Sequence, residues 1–327
     1  RYLGEVALWL PTEQLDEILV YLSSLMASPN DRIVSVALDT VGILLECYPC
    51  YRERFMDEKD GWECRRRRFL GMLLNGLANY RETVSQEALL VIGQTVFGSK
   101  RLTCSEKNEI FSLCFRKLLF LLNENKGDEL TAFYRAAALS NICRFITEYR
   151  LTEGDFTIGE RNAVAFFPGT FDPFTLSHKE IVREIRNMGY EVYLAVDEFS
   201  WSKKAQPHLI RRQIVNMSVA DEFHVNLFPD DIPVNIANPA DLKRLKEVFA
   251  GREVYIVAGS DVIANASSYK KEPCDNSIHS MNHIAFRRVG DVRSDNRFNR
   301  KMMESITGKV YELELPEHLE DISSTKI

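Results

Sequence analysis

Over the first 150 residues, apolar positions recur at helical intervals; Ile33, Ala37, Val41 and Leu44 share one face of a helix. Pro11-Thr12-Glu13 and Ser28-Pro29-Asn30-Asp31 are turn and helix-start signals. From Asn162 onward the pattern changes, and short β-branched or aromatic runs alternate with helical stretches. Strands are predicted at Ala163 to Phe167, Glu191 to Val196, Phe223 to Leu227, Val254 to Ala258, His283 to Phe286 and Val310 to Leu313. Helical patterns fall between most of them, for example His178 to Met188 and Asp241 to Phe249. Such alternation predicts an α/β fold, a doubly wound parallel sheet with helices on both faces, whose ligands bind beyond the carboxyl ends of the strands. The chain thus reads as an all-α domain over 1–150, a linker at Leu151 to Glu160, and an α/β domain over 161–327.

The helical half contains a weak internal repeat. Ala37-Leu38-Asp39-Thr40-Val41-Gly42 resembles Ala88-Leu89-Leu90-Val91-Ile92-Gly93, and both resemble Ala138-Leu139-Ser140-Asn141-Ile142-Cys143. The spacing of about 50 residues is near that of stacked HEAT and armadillo-type hairpins, in which small residues let helices approach. An ordinary helical bundle with coincidental matches is the alternative.

Composition adds exclusions. The chain has 327 residues, 45% hydrophobic and 27% charged, as expected of a globular protein of two domains. A formal charge of -6 argues against a surface that coats nucleic acid. No apolar run approaches the roughly 18 residues of a membrane span, and no signal-peptide pattern opens the chain. Seven cysteines, an odd number, fit a reduced, cytosolic setting. Cys47 and Cys50 form a C-x-x-C with Cys64 nearby, but no second pair completes a zinc site, and they read as ordinary thiols. His208, His224, His279, His283 and His318 lack ligand spacing, so no protein-held metal is expected. The start at Arg1 and the stop at Ile327 suggest a piece of a longer protein or one with disordered tails.

The chemistry concentrates in Phe167-Pro168-Gly169-Thr170-Phe171-Asp172-Pro173-Phe174-Thr175-Leu176-Ser177-His178, which follows the first strand and opens a helix. Gly169 permits close backbone approach, so amides near Thr170 and Phe171 can face a phosphate. Ser177 and Glu180 fit a capping box that would start the helix at His178. A helix start attracts anions, and an imidazole there can donate to a phosphate oxygen as charge builds. The segment is neither a Walker A loop nor a G-x-G-x-x-G turn.

This stretch resembles the G-[ST]-F-D-P-x-[HT]-x-G-H signature of the nucleotidyltransferase superfamily, which includes nicotinate-nucleotide and pantetheine-phosphate adenylyltransferases and cytidylyltransferases. Thr175 stands where many members carry the first histidine, and Ser177 replaces the usual glycine. The terminal Ile322-Ser323-Ser324-Thr325-Lys326-Ile327 resembles the superfamily's I-S-S-T-x-I-R motif. Three hydroxyl residues at a helix start can cradle the β and γ phosphates. No lysine-rich loop of the class I aminoacyl-tRNA synthetase type, which shares the histidine motif, is found.

Between these motifs a buried strand ends in Gly259-Ser260-Asp261. Gly259 permits close approach to a nucleotide, and Asp261 suits a ribose hydroxyl or shapes the pocket. By the resemblance, Tyr269 takes the place of an aromatic that stacks on a pyridine ring. Arg288, with Arg287, resembles the arginine corner of the nicotinate branch. Lys203 and Lys204 follow the second strand and can neutralise substrate phosphate, with Arg211 and Arg212 as further candidates.

The resemblance implies an enzyme that binds ATP with Mg2+, the ion held mainly by phosphate oxygens, and transfers AMP to a small phosphorylated substrate, nicotinate mononucleotide first. His178 and Thr175 would stabilise charge. A cytidylyltransferase is the alternative enzyme. A non-catalytic nucleotide sensor, whose helical half recruits a protein partner, is the alternative of a different class.

Overall fold

Helix caps foreseen in the sequence open the helical half of the computed structural model, which describes residues 2–55, 59–123, 127–156, 159, 161–197, 205–286 and 304–314. Helices α1 (Tyr2–Ala7), α2 (Thr12–Leu25) and α3 (Asp31–Cys47) lead through a 3-10 stretch at Tyr48–Phe55 into α4 (Lys59–Leu77). Helix α5 (Glu82–Leu90) continues as a π-helical stretch, Val91–Phe97, followed by α6 (Cys104–Asn123) and α7 (Glu129–Thr152). Pro11 precedes α2, and the Asn30 side chain caps α3 by accepting from the Arg32 amide at 3.0 Å. Helix α7 runs two residues into the stretch expected to be linker.

The glycines of the repeated stretches are contact points. A Cβ on Gly42 would lie 2.3 Å from Val91 Cγ1, and one on Gly93 would lie 2.8 Å from the Ala138 Cα. Each stretch therefore touches the next through a missing side chain: α3 meets the π-helical stretch, which meets α7. Contrary to the reading of the apolar runs, Asp31–Phe55 is long and apolar enough in composition to cross a membrane, but 56% of its apolar window is buried inside the fold. Val34, Leu38, Val41 and Leu44 are fully buried there.

The chain separates into two units: Arg1–Gly159 with Ala220–Phe223, and Glu160–Val219 with His224–Ile327. In the second unit lie β1 (Ala163–Gly169), α8 (Leu176–Asn187), β2 (Glu191–Val196), α9 (His208–Ser218), β3 (Val225–Leu227), α10 (Pro239–Val248), β4 (Glu253–Gly259), α11 (Ser260–Asn265), β5 (Asn282–Phe286) and β6 (Val310–Leu313). All six predicted strands are present. The third is shorter than expected, because His224 at φ 61 breaks the extended run after Phe223.

The six strands are parallel in the order β3-β2-β1-β4-β5-β6. With right-handed crossovers, this order places helices on both faces and gives a Rossmann-like α/β fold. β1 and β4 are central, and their near-continuous apolar sequences are those of strands buried on both faces. Val164, Phe166 and Ile256 pack with Leu242 and Leu245 of α10 in one buried hydrophobic cluster.

Candidate active site

The order reverses at β1, which feeds β2 on one side while β4 lies on the other, so the β1/β4 edge is the topological switch point. β1 pairs with β2 to its last residue, Gly169 opposite Val196, and β4 pairs with β5 to Gly259 opposite Phe286. The β1–β4 ladder, in contrast, ends at Phe166 and Ile256. Continued in register, Gly169 and Gly259 would face each other; instead the two strands part over their last three residues. This parting opens the carboxyl edge of the sheet where a ligand is expected.

The turn leaving β1 carries the histidine. Phe171 sits at φ 47, a left-handed conformation few residues with a Cβ adopt. Its ring lies against Gly169, where an added Cβ would come within 2.9 Å of Phe171 Cζ. Thus Gly169 is needed first to seat this ring. Helix α8 starts at Leu176 rather than His178, and its N-cap is Thr175 rather than Ser177. The capping box joins Thr175 to His178, not Ser177 to Glu180 as expected. His178 Nδ1 accepts from the Thr175 amide at 3.0 Å and lies 2.8 Å from Thr175 Oγ1. A neutral imidazole whose Nδ1 accepts carries its proton on Nε2, so Nε2 is the donor nitrogen. The Thr175 hydroxyl, expected at a phosphate, is turned to this ring.

His178 is 5% exposed and framed by aromatic rings. Phe174 stacks on it at 5.4 Å, Phe171 meets it edge-on at 5.3 Å, and Phe167 lies 6.3 Å away. Sequence reading missed this frame, although four phenylalanines within nine residues, Phe166 to Phe174, were its signal.

The role of Arg211 was also missed. It was a candidate for substrate phosphate, but it is 2% exposed and hydrogen-bonded to main-chain carbonyls. Arg212 donates to Asp230 at 2.7 Å and to the Phe228 carbonyl at 3.2 Å. Arg211 is thus committed to the fold, while Arg212 is paired with Asp230 beside the end of β3.

At the end of β4, a Cβ on Gly259 would lie 2.3 Å from Asp261 Oδ1 and 3.3 Å from the Phe286 ring. The glycine makes room for the Asp261 side chain in the first turn of α11. Tyr269 is corrected outright. It is 2% exposed in the core, and its hydroxyl is 3.0 Å from His283 Nε2. Burial pushes its phenol pKa up. The ring belongs to the buried cluster of Ile256, Ile263, Ile278 and Ala285, so it presents no open face for stacking on a substrate. Lys203, Lys204, Arg288, Ser323, Ser324 and Thr325 lie outside the described residues.

A parallel sheet parted at its switch point, with a glycine turn and a helix-tip imidazole beside the gap, defines a nucleotide-binding α/β domain. Residues 166–327 match the family described as Cytidylyltransferase-like. The match bears out the resemblance of the α/β unit to the nucleotidyltransferase superfamily. Among solved structures, a Plasmodium falciparum nicotinic acid mononucleotide adenylyltransferase complexed with APC is similar to this chain at 18% identity. That likeness covers 50% of this chain and 81% of the other, with a TM-score of 0.39. No curated protein matches the chain.

Proposed function

We propose that the α/β unit transfers AMP from ATP to the phosphate of a mononucleotide, with nicotinate mononucleotide as the first candidate. An acceptor phosphate oxygen attacks the α-phosphorus, the bond to the β-phosphate oxygen breaks, and pyrophosphate leaves. One observation carries this reading: His178, at the tip of α8, has Nδ1 occupied by the Thr175 amide, so Nε2–H is the group that can donate to a phosphate oxygen. In this reading Thr175 positions the ring. The amides of Gly169, Thr170 and Phe171 meet the α and β phosphates. Gly259 and Asp261 border the nucleoside, Ser323, Ser324 and Thr325 hold the leaving pyrophosphate, and Lys203, Lys204 and Arg288 meet the acceptor. The N–H, hydroxyl and imidazole groups at the described edge suit phosphate; of the carboxylates there, Asp172 accepts from the Gln206 amide, and among the described residues no three His, Cys, Asp or Glu side chains group as metal ligands. Mg2+ would therefore enter with ATP on its phosphate oxygens and neutralise charge there.

Purified protein given ATP, Mg2+ and nicotinate mononucleotide should release pyrophosphate. His178→Ala should abolish that release; because it also empties a buried site among three rings, it should lower stability by about 2–5 kcal/mol, and circular dichroism checks that the variant is folded at the assay temperature. A panel with CTP in place of ATP distinguishes a cytidylyltransferase. Absence of turnover with every mononucleotide ends the nicotinate assignment.

A second reading, a nucleotide sensor that recruits a protein, is favoured by an apolar groove of about 290 Å³ on the helical unit. Leu89, Gly93, Leu130, Phe133 and Ala137 line it, and Phe133 is 72% exposed. In this reading the helical unit is a HEAT-like stack. Tight ATP binding without turnover would support it.

A further inference from the structure

Arg211 is among the most buried charged residues of the α/β unit, and each of its three guanidinium nitrogens donates to a main-chain carbonyl. Nε donates to the Gln206 carbonyl at 2.8 Å, Nη1 to the Thr170 carbonyl at 2.5 Å and Nη2 to the Asp197 carbonyl at 2.8 Å. The acceptors lie on three separate segments: the turn after β1, the end of β2 and the lead into α9. Two further bonds close the knot. The Asp197 amide donates to the Gly169 carbonyl at 3.0 Å, and the Gln206 amide donates to Asp172 Oδ2 at 2.9 Å. The Gln206 residue is therefore gripped at both its amide and its carbonyl.

The planar fork of arginine suits this task, since its N–H groups point in fixed directions that a lysine cannot reproduce. The consequence falls on the phosphate turn. In a trans peptide the C=O and N–H point to opposite sides. Holding the Thr170 carbonyl toward Arg211 therefore holds the Phe171 N–H away from it. The left-handed backbone at Phe171 belongs to the kind of turn whose successive amides form an anion-binding concavity.

We propose that Arg211 is a positioning residue that fixes the Thr170–Phe171 peptide so that the Phe171 amide serves as a ready-oriented donor to a nucleotide phosphate. The inference rests on the nucleotidyltransferase reading of the crevice.

NMR on the whole chain tests it. In the unsubstituted protein, Arg211 should show resolved, slowly exchanging guanidinium protons with hydrogen-bond couplings into the carbonyl carbons of Thr170 and Asp197. A single averaged guanidinium signal overturns the clamp. Saturating ATP with Mg2+ should shift the Phe171 amide resonance and leave the guanidinium signals in place. Nucleotide binding with an unmoved Phe171 amide overturns the positioning role. Arg211→Lys keeps the charge and loses the fork. It should lower kcat by about tenfold or more, with the acceptor KM changed by less than about threefold. Amide exchange at Asp197 and Gln206, whose N–H groups donate within the knot, should rise about tenfold while Val257 and Ile284 keep their protection. Turnover at the unsubstituted rate, or an equal rise of exchange at all four positions, overturns the role. If no nucleotide binds while the guanidinium protons stay held, it is the transferase reading that falls, and the phosphate role of Phe171 with it; the clamp itself stands.

Discussion

The Tyr269 hydroxyl and His283 form a buried polar pair whose direction is set by a third group. His283 Nδ1 lies 2.9 Å from the Met281 carbonyl, which can only accept, so Nδ1 carries the proton and Nε2 accepts from Tyr269. Burial is the main cause that pushes the His283 pKa down to about 4; nearby His279 acts in the same direction, and the Met281 carbonyl opposes it. The unfolded chain, with an ordinary histidine near 6.5, binds more protons than the native state between those values. This contribution to stability is therefore full above about pH 6.5 and is lost as pH falls toward about 4, up to about 3 kcal/mol. Denaturant titrations across that range should show the loss, and His283→Asn should flatten it. An unchanged slope in the variant would mean that another group carries the acid sensitivity. At this scale the sequence was least informative, since nothing near Tyr269 indicates that His283, fourteen residues on, will face it.

Helix contacts in the N-terminal unit turn on absent atoms. Gly93 is packed against the backbone of α7 rather than against a flexible side chain, so an added methyl cannot be accommodated by a rotamer change. Gly93→Ala should lower stability by about 1–3 kcal/mol, read from urea midpoints, although alanine favours helix elsewhere. A neutral or stabilising result would show that α7 can withdraw at little cost. The same scale holds the largest difference from the sequence reading. Ser177 and Glu180 have a proper capping-box spacing, yet Thr175 and His178 form the box. Both pairs are three residues apart, so spacing alone could not choose between them. The choice follows from where the turn leaving β1 delivers the chain, with Phe171 and Phe174 packed on the imidazole.

The α/β unit has the proposed site at one edge of the sheet and a buried ion pair at the other. Glu191 opens β2, and its side chain meets Arg252, just before β4, while also accepting from Asn226 of β3 at 3.1 Å. The two charged side chains are 3% and 10% exposed. Glu191→Ala leaves Arg252 uncompensated and should destabilise the unit by about 3–5 kcal/mol in thermal or urea unfolding. Because the pair lies at the amino edge, away from the crevice, nucleotide affinity measured well below the melting temperature should be unchanged. A large loss of affinity there would couple the two edges.

What the sequence alone determined was local: six strand positions, the helix starts at Asn30 and near His178, and the glycine turn that leads to that histidine. Those follow from periodicity and capping, which depend on neighbours a few residues apart. The tertiary structure decided the partners. It parted β1 from β4 beyond Phe166, turned Tyr269 into the core and committed Arg211 to three carbonyls from three segments. Each of these depends on groups brought together across a long stretch of chain, and an acceptor within 3 Å is invisible until the backbone has folded.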